Sequence, residues 1–292
     1  MTHTVHTIAV LGAGTMGRGI AHVAALGGYE TRGFDPVPEA RERAAAAVRR
    51  NLDKGVELGK VERGDAEAAL GRLSWHGELA AAVDGADLVI EAVPEEMGLK
   101  VDTFREVVRH APEHALLASN TSALSITEMA AASGRPERFA GMHFFNPVHV
   151  MKLLELVRGL ETSEETLATL AAVGERMGKE VVRVSEAPGF VTTRINALIG
   201  NEAFRMLQEG VASAEDIDRA LKLGLNHPMG PFELVDLVGL DVRLSILEFL
   251  HASLGEAYRP NTLLVQHVRA GRLGRKTGRG VYAYDENGRR RR

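Results

Sequence analysis

Short apolar runs recur along the first two thirds of the chain and alternate with stretches whose apolar residues have helical spacing. The runs predict buried strands, and they lie at 6–11, 30–34, 87–93, 115–118, 139–144, 153–157 and 180–184. A long, mostly polar helix is expected at 36–60, and a further helix is expected at 164–177. Strands and helices in alternation indicate an α/β domain with a doubly wound, mainly parallel sheet.

The pattern changes at Pro188-Gly189, after which the chain shows helix and turn signals only. An apolar stripe at helical spacing runs from Ile195 to Leu207, and Ser213 is placed to begin the next helix. We therefore expect two domains, 1–187 with the sheet and 188–292 all-helical. Several apolar stripes in so short a segment suggest a core shared with a second copy, a homodimer through the helical domain.

Composition narrows the class of protein without naming it. The 292 residues carry a formal charge of −4, so no overall field favours nucleic acid. Cysteine is absent, which excludes disulfides and thiolate nucleophiles. No apolar run is long enough for a membrane span, and the N-terminus lacks the pattern of an export signal, so the cytoplasm is expected. His110 and His114 have metal-ligand spacing, but Pro112 between them argues against a helical pair, and no metal is expected.

A glycine motif follows the first predicted strand and opens a predicted helix, as Gly12-Ala-Gly14-Thr15-Met16-Gly17. Gly12 permits a tight turn, Gly14 lets the backbone approach a pyrophosphate, and Gly17 lets helix and strand pack closely. The helix N-terminus, with Thr15 and Met16, would then face the phosphates. This context predicts a Rossmann-type dinucleotide site rather than an ordinary glycine turn.

Asp35 ends the second predicted strand at the distance expected for the acid that binds the adenosine ribose. Its carboxylate would accept the 2'-hydroxyl and repel a 2'-phosphate, so NAD is the expected cofactor. Arg32, nearby, keeps NADP as the alternative.

A histidine flanked by aromatic residues lies in the stretch His143-Phe-Phe-Asn146-Pro147, and Glu155 follows in the next apolar run. The two side chains can meet if the chain folds back between adjacent strands at 139–144 and 153–157. A histidine paired with a carboxylate can act as a general acid and base. A lone histidine among apolar residues is more often structural, and the local pattern leaves that alternative open.

This stretch resembles the signature of the 3-hydroxyacyl-CoA dehydrogenase family, and the resemblance extends over nearly the whole chain. It includes the motifs Pro228-Met-Gly-Pro-Phe-Glu-Leu and Gly274-Arg-Lys276-Thr-Gly. The resemblance implies a catalytic histidine at His143, which Glu155 orients. The implied reaction is NAD-dependent oxidation of an L-3-hydroxyacyl-CoA, such as 3-hydroxybutyryl-CoA, in a cleft between the two domains.

The resemblance also implies roles for residues that would otherwise be turn formers, a helix-start acid or a surface lysine. Ser122 would hold the reacting oxygen of the substrate, and Asn146 would contact cofactor and substrate. The other implied cofactor contacts are Glu95, Lys100, Asn120 and Lys276. The helix at 36–60 would belong to a helical hairpin that touches the CoA phosphates, a role assigned to the region and not to single residues.

One position departs from the family pattern. Where the family has Pro-Gly-Phe-x-x-Asn-Arg, this chain has Thr193 at the asparagine position, and an asparagine follows only at Asn196. Asn196 lies about one helical turn further on. We therefore expect Thr193 and Asn196 together to replace the family asparagine in substrate binding.

Three other functions are alternatives to this one. A relative that acts on a free hydroxy acid, such as gulonate or carnitine, would share the same sites. A 3-hydroxyisobutyrate dehydrogenase would use a lysine as its base, which the His143 motif argues against. A non-catalytic NAD-binding or structural relative belongs to another class, and turnover separates it from an enzyme.

Overall fold

A computed structural model describes residues 4–291 of the chain, which divides between Ala187 and Pro188 into two compact units. In residues 4–291 eight strands form one sheet: β1 (Thr7–Leu11), β2 (Glu30–Phe34), β3 (Leu73–His76), β4 (Leu88–Glu91), β5 (Leu116–Ser119), β6 (Phe139–Phe144), β7 (Leu153–Arg158) and β8 (Glu180–Ser185). The helices of the first unit are α1 (Thr15–Leu26), α2 (Pro38–Glu57), α3 (Arg63–Arg72), α4 (Leu79–Val83), α5 (Met97–His110), α6 (Ile126–Ser133) and α7 (Glu164–Arg176). Those of the second are α8 (Thr192–Gln208), α9 (Ala214–Gly224), α10 (Pro231–Val238), α11 (Leu240–Leu254) and α12 (Thr262–Arg269).

The sheet order is β3-β2-β1-β4-β5-β6-β7-β8. Neighbouring strands are parallel except β6 and β7, which form an antiparallel pair. Strands β4 and β5 are buried along their whole length, as expected for parallel strands covered on both faces. The predicted fold class is therefore confirmed. The order reverses at β1, so the carboxyl ends of β1 and β4 border the crevice where such sheets bind ligands.

Strand β3 and helix α3 are among the elements of the first unit that the hydrophobic pattern misses. Of the four residues of β3, Ser74 is exposed and the other three are half-buried, so no apolar run marks them. Its position depends on packing, because the Trp75 ring occupies the place where a side chain at Gly33 would lie. Helix α3 packs on the predicted long helix α2 and buries only Ala66 and Ala69. The basic residues near the end of α2 are exposed; they are Arg49, Arg50, Lys54 and Lys60.

The helices of the second unit enclose their own core, in which Phe204 and Phe232 meet edge to face. The structure explains Gly230, the glycine of the Pro228–Leu234 motif, through a contact that sequence spacing does not reveal. The buried carboxylate of Asp218 accepts the N–H groups of Phe232 and Glu233 at the start of α10. A Cβ at Gly230 would lie 2.3 Å from the Cγ of Asp218, so only glycine fits there. No helix in residues 4–291 has the length and apolar character needed to cross a membrane.

Candidate active site

The glycine loop between β1 and α1 has the geometry that each glycine was expected to allow. Gly12 has a φ of 98°, which disfavours any side chain, and a Cβ there would lie 2.7 Å from the carbonyl oxygen of Ala92. A Cβ at Gly17 would lie 1.8 Å from the carbonyl oxygen of Gly12. The Cβ position of Gly14, in contrast, has no atom within 4 Å, which leaves an open approach to the backbone.

Helix α1 begins at Thr15, directly after this open position, and Gly14 has no side chain with which to cap it. Thr15 is exposed and Met16 is half-buried in the first turn. The first N–H groups of a helix lack intrahelical partners and carry a partial positive charge. An exposed, uncapped helix start beside a glycine loop fits a pyrophosphate.

Asp35 follows β2 directly and is tied to the glycine loop. Its carboxylate accepts the N–H of Ala13 at 2.9 Å and that of Val37 at 3.0 Å. Each carboxylate oxygen keeps capacity for a further hydrogen bond, such as one from a ribose hydroxyl. The residues of the loop and Asp35 thus fit a dinucleotide.

Arg41 is the arginine that hydrogen-bonds Asp35, and no sequence pattern indicated this contact. Its guanidinium donates to the backbone carbonyl of Asp35 at 2.6 Å. Arg32, in the middle of β2, instead donates to the carbonyl of Asp84, the residue after α4. Arg41 is therefore the cation that could compete for a 2'-phosphate.

A charged network lies at the carboxyl ends of β4 and β5. The Nζ of Lys100 is 2.6 Å from Oε1 of Glu91 and 3.2 Å from Oε2 of Glu95. Lys100 and Glu91 are fully buried, so the alternative of a surface lysine is wrong. Burial raises the pKa of Glu91, and the Lys100 ammonium partly offsets this. Burial also acts to raise the pKa of Glu95, but Lys100 and hydrogen bonds from Thr121 and Ser122 outweigh it and lower that pKa.

The loop after β5 connects this network to the histidine strand. Ser122 donates its N–H to Oε1 of Glu95 at 2.9 Å and its hydroxyl to the same oxygen at 3.2 Å. The side-chain oxygen of Asn120 accepts the N–H of Phe144 at 2.9 Å, next to His143 in β6. The structure thus brings Glu95, Lys100, Asn120 and Ser122 together around the ends of adjacent strands.

His143 and Glu155 are directly opposite each other in the antiparallel pair of β6 and β7. Nδ1 of His143 is 2.8 Å from Oε2 of Glu155, and both side chains are buried. A carboxylate at Nδ1 favours the tautomer with the proton on that nitrogen, which leaves Nε2 to accept another proton. The ring of Phe145 lies 4.4 Å from the imidazole, centroid to centroid, and restricts its rotation.

The loop from β6 to β7 is held by two contacts that the sequence interpretation missed. It contains the cis peptide bond Asn146–Pro147, and the Asn146 side chain is exposed. Val148 packs on Gly19 of α1, where a Cβ would lie 2.8 Å from it. The buried Lys179 donates to the carbonyls of Val148 and Met151. Neither contact joins residues close in sequence, so no local pattern could have indicated them.

Three histidines outside this site have separate structural surroundings: His22, and the candidate metal ligands His110 and His114. Burial, with His149 and Lys179 nearby, lowers the pKa of the buried His22 to about 4, so His22 is neutral at physiological pH. His110 ends α5 and contacts Glu106, while His114 lies beyond Pro112 and contacts Asp87. Among residues 4–291 no group of three or more His, Cys, Asp or Glu side chains is arranged to hold a metal ion.

The remaining predicted site residues lie in the second unit. Thr193 is in the first turn of α8 and Asn196 follows one turn later, and both side chains are half-buried. Residues three apart lie on the same side of a helix. The Lys276 ammonium forms an ion pair with Asp241, at 2.6 Å from Oδ1.

Two family models match the chain in succession. The 3-hydroxyacyl-CoA dehydrogenase NAD binding domain matches residues 7–187, and the C-terminal domain of the same family matches residues 189–284. A probable 3-hydroxybutyryl-CoA dehydrogenase of Bacillus subtilis is 48% identical over 283 residues, 97% of this chain and 98% of the relative.

Solved structures give the same result. The (S)-3-hydroxybutyryl-CoA dehydrogenase PaaH1 of Ralstonia eutropha superposes with a TM-score of 0.93 at 43% identity, over 97% of this chain and 100% of that one. FadB2 of Mycobacterium tuberculosis gives 0.92 at 40% identity, over 97% and 100%. With its glycine loop, Asp35 and matching domains, the chain belongs to the 3-hydroxyacyl-CoA dehydrogenase family and is an NAD-dependent oxidoreductase.

Proposed function

We propose that this enzyme oxidises an L-3-hydroxyacyl-CoA, with 3-hydroxybutyryl-CoA as the first candidate, or runs the reverse reaction. The carrying observation is the pairing of His143 with Glu155 at 2.8 Å, in a chain whose relatives are 3-hydroxybutyryl-CoA dehydrogenases. When bound, NAD supplies the acceptor for the hydride from C3 of the substrate.

His143 would accept the proton of the C3 hydroxyl at Nε2 as the carbonyl forms. Glu155 would keep the proton on Nδ1 and stabilise the imidazolium as it develops. Ser122 would hydrogen-bond the reacting oxygen from the loop after β5. In the reverse direction the imidazolium returns its proton to the same oxygen.

The other roles carried over from the family are part of the same proposal. The glycine loop, Thr15 and Met16 would bind the pyrophosphate, and Asp35 the adenosine ribose. Glu95, Lys100 and Asn120 would hold the nicotinamide end, with Asn146 beside cofactor and substrate and Lys276 reaching the cofactor from the second domain. We assign residues 1–187 to NAD binding and 188–292 to substrate binding and dimerisation.

The function is tested by NADH absorbance with acetoacetyl-CoA, longer 3-oxoacyl-CoAs and free 3-oxo acids. We expect the CoA esters to have the higher kcat/KM. Equal or better turnover of free acetoacetate would favour the free hydroxy acid alternative. Absence of turnover with every compound, from protein that binds NADH, would indicate a non-catalytic relative.

NAD should be used with a higher kcat/KM than NADP, because the Asp35 carboxylate repels a 2'-phosphate. The measurement is kcat/KM for both reduced cofactors at saturating acetoacetyl-CoA. Asp35→Ser should reduce the ratio of kcat/KM for NADH to that for NADPH, because it removes the repulsive charge. Comparable efficiency in the wild type would contradict the assignment, and Arg41→Ala would then show whether Arg41 holds the phosphate.

Asn196→Ala should raise the KM for acetoacetyl-CoA, whereas Thr193→Asn should be tolerated or mildly helpful. The reason is that Thr193 keeps a hydroxyl but lacks the family amide, and Asn196 offers one from the same side of α8. Steady-state kinetics of the two variants make the test. Unchanged kinetics for Asn196→Ala would mean that Asn196 is an ordinary helix residue.

A homodimer through the second unit is the proposed assembly. Large apolar side chains are more than half exposed there; they include Val191, Ile195, Val211, Leu223 and Leu225. Exposed apolar surface of this extent is typical of protein interfaces. Light scattering at micromolar concentration should give twice the mass of one chain, and a monomeric mass would refute the assembly. The bacterial relatives support a cytoplasmic location.

A further inference from the structure

Glu91, the last residue of β4, has no part in the machinery proposed so far, although its carboxylate is among the most buried polar groups. It is 0% exposed. Oε1 accepts the N–H of Val93 at 2.7 Å and a bond from Lys100 at 2.6 Å, and Oε2 accepts the hydroxyl of Ser119 at 2.6 Å. A buried carboxylate is costly unless it is paired and hydrogen-bonded, and this one is both.

Lys100 connects Glu91 to Glu95. An ammonium has three donors, and the partners of Lys100 are Glu91, the carbonyl of Val93 at 3.3 Å and Glu95. With all three donors engaged, the ammonium has one defined position. Glu91 supplies the shortest of the three contacts, at 2.6 Å against 3.3 Å and 3.2 Å.

Glu95 connects the ammonium to the loop after β5. While Oε2 faces Lys100, Oε1 accepts from the hydroxyl of Thr121 at 2.6 Å, the N–H of Ser122 at 2.9 Å and the hydroxyl of Ser122 at 3.2 Å. A carboxylate oxygen has about two lone-pair directions, so the longest of the three bonds is the weakest. The Ser122 hydroxyl can therefore turn to another oxygen while its backbone stays fixed.

We propose that Glu91 is a positioning residue for the reaction: by holding Lys100 it keeps Glu95 aimed at the 121–122 loop, which presents the Ser122 hydroxyl to the substrate oxygen. The inference rests on the proposed function, because it needs Ser122 to hold the reacting oxygen. Glu91 itself would not contact the substrate. Its effect would pass through Lys100 and Glu95 to Ser122, which would contact the reacting oxygen.

A residue that merely stabilises the fold would have different effects. Its loss would lower the thermal midpoint and the active fraction, and its effect on turnover would multiply with that of any active-site variant. A residue that acts through Ser122 can contribute nothing once the Ser122 hydroxyl is removed.

The test variant is Glu91→Gln, assayed as kcat with acetoacetyl-CoA and NADH. The amide keeps the size of the side chain but loses the charge, so Lys100 should move toward Glu95 and draw its carboxylate from Ser122. Small displacements of a reacting group can cost up to about a hundredfold, and we expect kcat to fall by about ten- to a hundredfold. Ser119→Ala is the matched control, since it removes one bond from Glu91 without touching Lys100. Its kcat should stay within about twofold of wild type.

The decisive comparison adds Ser122→Ala. With NADH at saturation, so that a change in cofactor affinity through Lys100 or Glu95 does not enter kcat, the variant Glu91→Gln/Ser122→Ala should have the kcat of Ser122→Ala within about threefold. Multiplying losses, or a Glu91→Gln kcat equal to that of Ser119→Ala, would overturn the inference. Failure of the proposed function looks different, because the wild type would then not reduce acetoacetyl-CoA, or Ser122→Ala alone would leave kcat unchanged.

If the Glu91→Gln protein does not fold, the same question is asked in the Lys100→Met background. In that background no buried ammonium is left unpaired when Glu91 is changed. If Glu91 acts through Lys100, Glu91→Gln/Lys100→Met should have the kcat and the NADH dissociation constant of Lys100→Met, the latter from fluorescence titration. A difference in kcat of more than about threefold between the two would overturn the inference.

Discussion

His143→Gln should lower kcat by about 10² to 10⁴-fold, the usual contribution of a positioned general base. The affinity for NADH, measured by fluorescence titration, should stay nearly unchanged, because the His143 side chain pairs with Glu155 and is not among the residues assigned to cofactor binding. The fold should survive, since glutamine can still hydrogen-bond Glu155. His149→Gln is the matched control from the exposed part of the following loop, and its kcat should stay close to that of the wild type.

Glu155→Gln should also lower kcat strongly, because the amide cannot stabilise an imidazolium and can favour the wrong tautomer. Since the two residues act as one unit, the double variant should be little worse than His143→Gln alone. Multiplying losses, or a His143→Gln variant that keeps more than about a tenth of the wild-type kcat, would make the histidine structural and the mechanism wrong.

Gly17→Ala should lose both stability and NAD affinity, whereas Gly14→Ala should lose NAD affinity alone. A Cβ at Gly17 would lie 1.8 Å from the carbonyl oxygen of Gly12, so backbone must move. Overpacking of this kind costs about 1–3 kcal/mol. At Gly14 the Cβ has open space in the protein, so the midpoint of unfolding should not change, but the methyl group occupies the approach to the helix start.

Hydrogen bonds to a charged group are worth about 1.5–3 kcal/mol each. Loss of two bonds from the helix start to the pyrophosphate would therefore lower NAD affinity by at least about a hundredfold. Calorimetric titration with NAD and thermal unfolding of the same samples measure the two effects. Gly98→Ala, at a glycine within α5 whose Cβ position is also open, should lower neither the NAD affinity nor the midpoint of unfolding. If Gly14→Ala left the NAD affinity unchanged, the pyrophosphate would not bind at this loop and its assignment would be wrong.

The fold class was predictable because the central strands are buried on both faces and appear as apolar runs. Strand β3 was not, since it is short, half-exposed and fixed by Trp75 against Gly33. The glycine loop was recognisable from local spacing, because the roles of its glycines depend on atoms of the loop itself and of the adjacent strand.

Contacts between distant residues were not predictable from local patterns. Lys179 holds the loop after His143 from 31 residues away, and Asp218 reaches the start of α10 across 14 residues. Nothing near Glu91 indicates that its partner is Lys100, nine residues later on the next helix. These side chains satisfy buried polar groups, and which groups become buried is known only once the elements have packed.

The antiparallel pairing of β6 with β7 makes the acid-base geometry depend on an even or odd count of residues. Successive side chains of a strand point to opposite faces, so one codon inserted in β7 before Glu155 would turn the carboxylate away from His143. Two codons would restore the face but shift the carboxylate about 7 Å along the strand. Insertion of serine or glycine changes neither the net charge nor the number of apolar side chains, yet one or two such residues would separate the pair. Length changes that leave the enzyme active should therefore be confined to surface loops such as the one between α2 and α3.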